Sequence, residues 1–193
     1  QVLTVPLKDL SPANRLEVRK NGSGTAYYAL QVTQDVRTPA FAPESTVPGL
    51  SVRREYFRME TRRDGAGRIS VVPEKRPTTD LRIGDRVLVR VTLHNDRPLE
   101  YLMVEDPIPA GLEVQDRGDL SPDEWSYWWT HTDVRDDRVA FFIRDLAPGK
   151  HELEYYARPE MTGKTRVLPS VVSDMYVPST RAATADTKLS VGR

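Results

Sequence analysis

The sequence predicts an all-β chain folded as an antiparallel β-sandwich, with a small additional β piece at its N-terminus. Apolar and polar residues alternate at period two in several runs, and glycine-containing turn signals separate these runs. No segment repeats apolar residues at helical spacing, and 15 scattered prolines leave few uninterrupted stretches for a long helix. Together these features are typical of an Ig-like or fibronectin-III-like sandwich.

The sequence of residues 1–37 predicts a β-hairpin piece. The turn signal Asn-Gly-Ser-Gly at 21–24 separates a short run at 16–19 from a longer one at 25–36. Asn and Gly tolerate the positive φ that tight hairpin turns require. A piece of this size is too small to bury a good core alone, so we expect it to be the remainder of an interrupted domain or to pack on the next one.

The sequence of residues 38–50 predicts an extended linker. The stretch reads TPAFAPESTVPGL and contains Pro39, Pro43 and Pro48. Because proline has no N–H to donate, it is excluded from the middle of a sheet. The linker would join the N-terminal piece to a C-terminal sandwich domain at 51–193.

The C-terminal domain shows its clearest alternation at 85–93. Apolar residues at 87, 89, 91 and 93 would share one face, and Leu88 would share the other with polar residues. This is the pattern of a half-buried antiparallel strand. Similar strands are predicted around Phe141, Leu153 and Leu189, with turns at 64–67 and 148–149.

The composition excludes several classes of function. Formal net charge is zero, which argues against nucleic-acid binding. The chain has no Cys, so it cannot form a disulfide, a thiolate nucleophile or an internal thioester. No apolar run is long enough to span a bilayer, and no signal peptide is visible. Gln1 is an improbable natural start, so we expect a piece of a longer protein.

No residue pattern points to catalysis. The three histidines, His94, His131 and His151, are far apart and lack helical metal-ligand spacing. Phosphate-loop, nucleophile-elbow and zinc-protease motifs are absent from the sequence. We therefore expect a non-enzyme without a cofactor or metal.

An acidic cluster at Asp133, Asp136 and Asp137 could suggest calcium. It lacks the glycine and the terminal bidentate Glu of a helix-loop-helix site. A plain turn with neighbouring Asp–Arg pairs is the favoured interpretation.

The run Trp125-Ser126-Tyr127-Trp128-Trp129 contains all three tryptophans of the chain. On a strand, Trp125, Tyr127 and Trp129 would point to one side and Trp128 to the other. One face could fill the core while Trp128 covers a sheet edge. Alternatively the run could dock another domain or stack on sugar rings.

Several segments resemble a known family when they are taken in order. They read LRIGDRV at 81–87, YLMVEDPIPAGLE at 101–113, RDDRV at 135–139, LAPGKH at 146–151, YYAR at 155–158 and SDMYVP at 173–178. This set resembles the C-terminal region of bacterial alpha-2-macroglobulin-like proteins, with their terminal macroglobulin-like domain. Residues 22–28, GSGTAYY, resemble the strand that leaves the thioester domain.

The resemblance implies a non-catalytic scaffold within a broad-spectrum protease trap. In such traps a protease cuts a bait segment, the molecule rearranges, and a Cys-Gln thioester can bond the attacker. This chain would pack against the thioester-type domain and take part in the rearrangement. Its partners would be other domains of the parent and, through the parent, target proteases, with no nucleic acid or membrane insertion. The parent would be periplasmic, in the cell envelope or secreted, and could be a lipoprotein.

Met175 and Tyr176 are the first candidates for the interdomain contact, with Trp125, Trp128 and Trp129 as the second choice. The Met-Tyr pair could instead close the end of the sandwich. Two other classes of function stay open at this stage. One is an Ig-like structural repeat of a bacterial surface protein or adhesin, and the other is a carbohydrate-binding module.

Overall fold

The computed structural model describes residues 5–6, 9–11, 14–15, 17–25, 27, 29, 40–115 and 131–193. The chain divides into two compact units, Gln1–Arg37 and Thr38–Arg193. The strands among the described residues all lie in the second unit. They are β1 Glu44–Ser45, β2 Ser51–Arg63, β3 Ile69–Pro73, β4 Asp80–Arg82, β5 Val87–Asn95, β6 Leu99–Pro107, β7 Leu112–Gln115, β8 His131–Val134, β9 Arg138–Leu146, β10 Gly149–Pro159, β11 Gly163–Val167, β12 Val171–Asp174, β13 Arg181–Ala183 and β14 Thr187–Gly192.

The first unit shows a bend at residues 22–24, where Gly22 and Gly24 have φ angles of 102° and 97°. Residues 17–20 are not in a strand, although the sequence predicts one at 16–19. An isolated hairpin is marginal without further strands to support it. Most of the predicted partner run at 25–36 lies outside the described residues, so the hairpin piece stays a prediction.

The second unit confirms the all-β fold class. One sheet has the order β1-β13-β12-β6-β9-β8, a second has β3-β2-β5-β10-β7, and a third has β11-β14-β4. Neighbours pair antiparallel except for β4 and β14, which run parallel. Inward residues of the two large sheets form one shared apolar core. The described residues contain no membrane-spanning helix.

Strand β5 lies at the centre of the five-stranded sheet and confirms the predicted alternation. Its inward side chains at 87, 89, 91 and 93 have no exposed surface. On the opposite face Leu88 is also buried, and Arg90 stacks over the Phe57 ring at 5.0 Å. The guanidinium of Arg86 covers Tyr156 in the same way at 5.3 Å. Arginine stems thus shield apolar side chains on the outer face.

The segment 109–112 makes the tight turn that its Pro-Ala-Gly sequence indicates. The N–H of Leu112 donates to the carbonyl of Pro109 over 3.0 Å, and Gly111 has a φ of 87°. A Cβ on Gly111 would lie 3.2 Å from the Cβ of Met161, so a larger residue would be both strained and crowded. The turn returns Leu112 to the core.

Part of the predicted linker forms a strand at the sheet edge. Glu44 and Ser45 pair with Ala183 and Ala182, and the hydroxyl of Thr46 accepts the N–H of Arg181 over 2.8 Å. This edge position suits a segment flanked by prolines. The boundaries predicted for linker and domain stay predictions.

A buried carboxylate joins the two large sheets. Asp106 on β6 accepts hydrogen bonds from Arg54 Nη1 at 2.8 Å and Tyr155 Oη at 2.7 Å. Ser170, which precedes β12, donates its hydroxyl to the same carboxylate over 2.5 Å. Because β6 lies in one sheet and Arg54 and Tyr155 lie in the other, the contacts cross the core. The sequence does not predict this cluster.

Asp106 keeps Arg54 charged inside the core. Burial alone would lower the pKa of the guanidinium, but the neighbouring carboxylate outweighs burial and the pKa is raised. Arg54 Nε and Nη2 have no partner among the described residues. Two buried charges cost several kcal/mol to desolvate, and a close, well-directed pair is needed to offset that cost. The pair therefore fixes how the sheets face each other more than it adds stability.

Removing the carboxylate should strongly destabilise the sandwich. We expect Asp106→Ala to lower the free energy of unfolding by about 3–5 kcal/mol, because the Arg54 charge stays buried without its partner. Urea denaturation measures this loss. The control is Glu60→Ala, which removes a surface pair with Arg62 and should cost less than about 1 kcal/mol. Equal losses in the two variants would contradict the structural role of Asp106.

Two buried tyrosines should make the fold sensitive to alkali. Burial raises the pKa of Tyr56 and of Tyr155, and Asp106 raises both further. Their stabilising contribution is complete below the unfolded value of about 10 and is lost as pH rises above it, at about 1.4 kcal/mol per pH unit for each group. Urea unfolding should therefore show little dependence on pH from this pair at pH 9, and a slope that approaches about 2.7 kcal/mol per unit between pH 10.5 and 11.5.

Tyr56→Phe should halve that alkaline slope. The Tyr56 hydroxyl has no hydrogen-bond partner among the described residues, so we expect little loss of stability at pH 7. An unchanged slope in the variant would show that Tyr56 ionises in the folded state.

Candidate interdomain contact surface

Met175 and Tyr176 lie in the loop between β12 and β13, at one end of the six-stranded sheet. Tyr176 is 75% exposed, and its neighbours Met175 and Val177 are 45% and 51% exposed. Tyr101, near the start of β6, is 43% exposed and its ring contacts that of Tyr176. We call these four residues the apolar end surface.

Asp174 shapes the loop that presents Tyr176. Its Oδ1 accepts the N–H groups of Tyr176 and Val177, both at 2.8 Å. The N–H of Asp174 donates to the carbonyl of Thr180 at 2.9 Å, and Thr180 in turn donates to Val177 at 2.8 Å. Such Asx-turn contacts stabilise an exposed loop without any core contact. Tyr176 is therefore held outward by local hydrogen bonds.

Tyr101 supports Tyr176 from the neighbouring strand. Its carbonyl accepts the N–H of Met175 at 2.9 Å, and the two tyrosine rings meet edge to face with centroids 5.3 Å apart. Among the described residues other than glycine, only Tyr101 has a positive φ, at 53°. This conformation costs about 1–2 kcal/mol for a residue with a Cβ. Strain of this kind concentrates at functional sites.

Tyr101 was not among the contact residues predicted from the sequence. Its strained backbone has no sequence signature, because Tyr is not a residue that favours positive φ. The available signal was its outward position in a strand that begins beside the Met-Tyr loop, and this position becomes visible only once the strand register is known.

The exposure of Met175 and Tyr176 fits a contact surface better than closure of the sandwich end. Neither belongs to the buried core. Their role in an interdomain contact stays a prediction. Trp125, Trp128 and Trp129, together with Tyr127, lie outside the described residues.

The three histidines do not converge. His94 on β5 contacts Asp96 at 3.1 Å, and His151 on β10 contacts the carbonyl of Ala147 at 2.7 Å. His131 lies in the other large sheet and stacks on Phe142 with ring centroids 6.0 Å apart. Across 40–115, 131–193 and the described part of the first unit, no three His, Asp or Glu side chains are grouped to hold a metal ion.

The acidic segment at 133–137 forms the expected turn. Asp133 pairs with Arg135 at 2.7 Å and Asp137 pairs with Arg138 at 3.1 Å. The N–H of Arg135 donates to the carbonyl of Arg138 at 2.9 Å. These carboxylates are therefore engaged by neighbouring arginines, as the sequence predicts.

A family model matches most of the second unit. Residues 49–179 match the bacterial alpha-2-macroglobulin MG10 domain. The "Alpha-2-macroglobulin homolog" of Nostoc is 28% identical over 199 residues, which cover 98% of this chain and 10% of the relative. The chain thus spans about a tenth of the length of this curated relative.

Solved structures give the same result. The native conformation of Escherichia coli alpha-2-macroglobulin matches with a TM-score of 0.60 at 25% identity, covering 78% of this chain and 10% of that one. The trypsin-activated form from the same organism matches with a TM-score of 0.61 at 25% identity, covering 79% and 11%. The fold is thus equally similar to the native and the activated structure.

The Asp174 carboxylate should control the order of the loop. We expect Asp174→Ala to cost about 1 kcal/mol of unfolding free energy and to accelerate hydrogen exchange at the amides of Tyr176 and Val177. NMR-detected exchange measures both amides. Asp174→Asn is the matched control, because its side-chain oxygen can still accept the same bonds. Slow amides in the alanine variant would show that another contact orders the loop.

Proposed function

The chain belongs to the bacterial alpha-2-macroglobulin family, and on that premise we propose that it is a non-catalytic scaffold of a protease trap. Its apolar end surface would pack against the thioester-type domain of the parent and help to keep water and nucleophiles away from it. When the bait is cut, this contact would open as the parent rearranges. Family membership favours this function over an adhesin repeat or a carbohydrate-binding module.

The observation that carries the proposal is the 75% exposure of Tyr176 on a loop held outward by Asp174. An exposed Tyr beside an exposed Met is a composition typical of interface centres. Met175 is 45% exposed, so covering the rest of its side chain would contribute about 1 kcal/mol. A surface prepared in this way loses little conformational freedom on contact, because its loop is already ordered.

The proposed contact is compatible with reversible docking. Four side chains form a modest surface, and interdomain interfaces of modest area can separate. The Asp106 cluster, buried away from the apolar end surface, would keep the sandwich intact while it moves. The equal similarity to native and trypsin-activated relatives supports movement of the sandwich as one body.

The remaining partners follow from the same proposal. Target proteases would be met through the full-length parent, and the contact needs no cofactor. A parent in the periplasm, in the cell envelope or outside the cell would meet such proteases.

Replacing Tyr176 by Ala in the full-length parent should weaken the latent state. Loss of about 2 kcal/mol of contact energy corresponds to roughly a thirtyfold larger open population. We expect the variant to lose its capacity to capture protease faster during incubation before protease is added. Where the parent carries a thioester, its hydrolysis should accelerate in parallel.

Met175→Ala should show the same effect, and Met161→Ala is its matched control. Met161 is 69% exposed, and its N–H donates a hydrogen bond to the carbonyl of Gly111. It therefore lies near the C-terminal end of β6, away from Tyr101 at the start of that strand. All variants must retain the melting temperature of the parent. Unchanged capture by Tyr176→Ala and Met175→Ala, or an equal loss in Met161→Ala, would reject the shielding contact.

A further inference from the structure

The hairpin formed by β2 and β3 extends beyond the sandwich. Strand β2 pairs with β5 only over Ser51–Arg58, whereas its remaining residues, Met59–Arg63, pair with β3. All residues from 61 to 71 are exposed. We call residues 59–73 the hairpin arm. A two-stranded arm of this kind is marginally stable in water unless something supports it.

One face of the hairpin arm exposes two β-branched apolar side chains that no other described residue covers. Ile69 is 63% exposed and Val71 is 44% exposed. They lie on the same face of β3, opposite Arg63 and Thr61 on β2. β-branched side chains contribute to a sheet mainly by packing against neighbours on that face. This face therefore gives little stability until it is covered.

Among the described residues, no strand pairs with the outer edge of β3, which we call its free edge. Proteins usually blunt exposed sheet edges with charged residues, very short strands or bulges. In the part of the chain that the structure describes, the other edge strands β1, β4, β7, β8 and β11 each contain at least one charged residue. Strand β3 reads ISVVP and contains none, with only its terminal Pro73 as a blunting residue.

The outward backbone groups of β3 can be assigned from the flanking hydrogen bonds. The N–H of Asp64 donates to Arg68 at 3.0 Å, and the N–H of Glu74 donates to Arg58 at 2.8 Å. Because antiparallel pairs alternate, even-numbered residues of β3 bond to β2. Ile69 and Val71 then direct N–H and C=O groups to the free edge.

Charge on the hairpin arm indicates what would fit there. Arg62 pairs with Glu60, and Arg68 pairs with Asp64 at 2.8 Å. The arm has three arginines against one Glu and one Asp, which leaves a net charge of +1. No ion pair of Arg63 is found among the described residues, and Arg63 lies opposite the exposed Ile69. A carboxylate near this position would complement the arm.

We propose that the free edge of β3 takes up an extended segment from another part of the parent chain as an added strand. The segment would place apolar side chains against Ile69 and Val71 and a carboxylate near Arg63. Strand addition of this kind gains affinity from backbone hydrogen bonds and specificity from alternate side chains. It would anchor the module at a second contact, formed by an element different from the Tyr176 loop.

The same parent chain is the favoured source of this strand. The chain covers 10% of its Nostoc relative, so a parent of that size would have most of its length outside these residues. A second copy of the module fits less well, because it would bring two positively charged arms together. The inference rests on the proposal that the chain belongs to a longer parent, but not on the contact made by Tyr176.

Hydrogen exchange in the full-length parent tests the proposal. If the edge is unpaired, hydrogen exchange is fast at the amides of Ile69 and Val71 and slow at those of Ser70 and Val72. An added strand makes exchange slow at all four amides. We therefore expect slow exchange at Ile69 and Val71 at every protein concentration. Fast exchange at Ile69 and Val71 would overturn the proposal. Protection that grows with protein concentration would overturn it in favour of a second copy.

Val71→Pro provides the specific variant, because it removes an outward donor and leaves the β2–β3 ladder intact. In the parent, Ile69 should then exchange fast while Ser70 and Val72 stay slow. Val71→Thr keeps the N–H and should retain protection, which controls for the side chain. If Ile69 stays slow in the proline variant, the protection has another origin and the proposal fails. Capture by Tyr176→Ala is measured separately, so the two proposals can fail independently.

Discussion

The sandwich depends on one buried carboxylate. Asp106 receives Arg54 and Tyr155 from the facing sheet and Ser170 from the approach to β12, so a single side chain joins three separate parts of the chain. Apolar packing supplies the driving force for folding but is non-directional. The carboxylate adds direction, because its hydrogen bonds can all form in only one arrangement of the two sheets.

Alternation along the sequence predicts the faces of the strands, because each inward position must be apolar to enter the core. That rule gives β5, β9, β10 and β14 correctly, and Gly-containing turns place the connections. The same rule does not predict that Arg54 and Asp106 are buried, because they are charged residues at inward positions. Each looks like an interruption of its own strand, and only the opposite sheet shows that they belong together. A charged residue in phase with a buried face is nevertheless a signal that could be searched for.

The candidate site was predictable only in part. The Met-Tyr pair beside Pro178 indicates an exposed loop, and both residues are exposed. Tyr101 depends on strand register and on a backbone angle that no local sequence pattern encodes. The parallel pairing of β4 with β14 was missed for a related reason, since it joins residues far apart in the chain. Long-range partners are what period-two patterns leave undetermined.

The structure combines a rigid interior with an exposed apolar end surface. The central prediction is that Tyr176 and Met175 are covered in the latent parent and released when the bait is cut. Hydroxyl-radical footprinting of the full-length parent, before and after protease cleavage, measures this directly, with Met161 as an internal reference. The account predicts weak labelling of Met175 and Tyr176 before cleavage and strong labelling afterwards. Equally strong labelling in both states would contradict it.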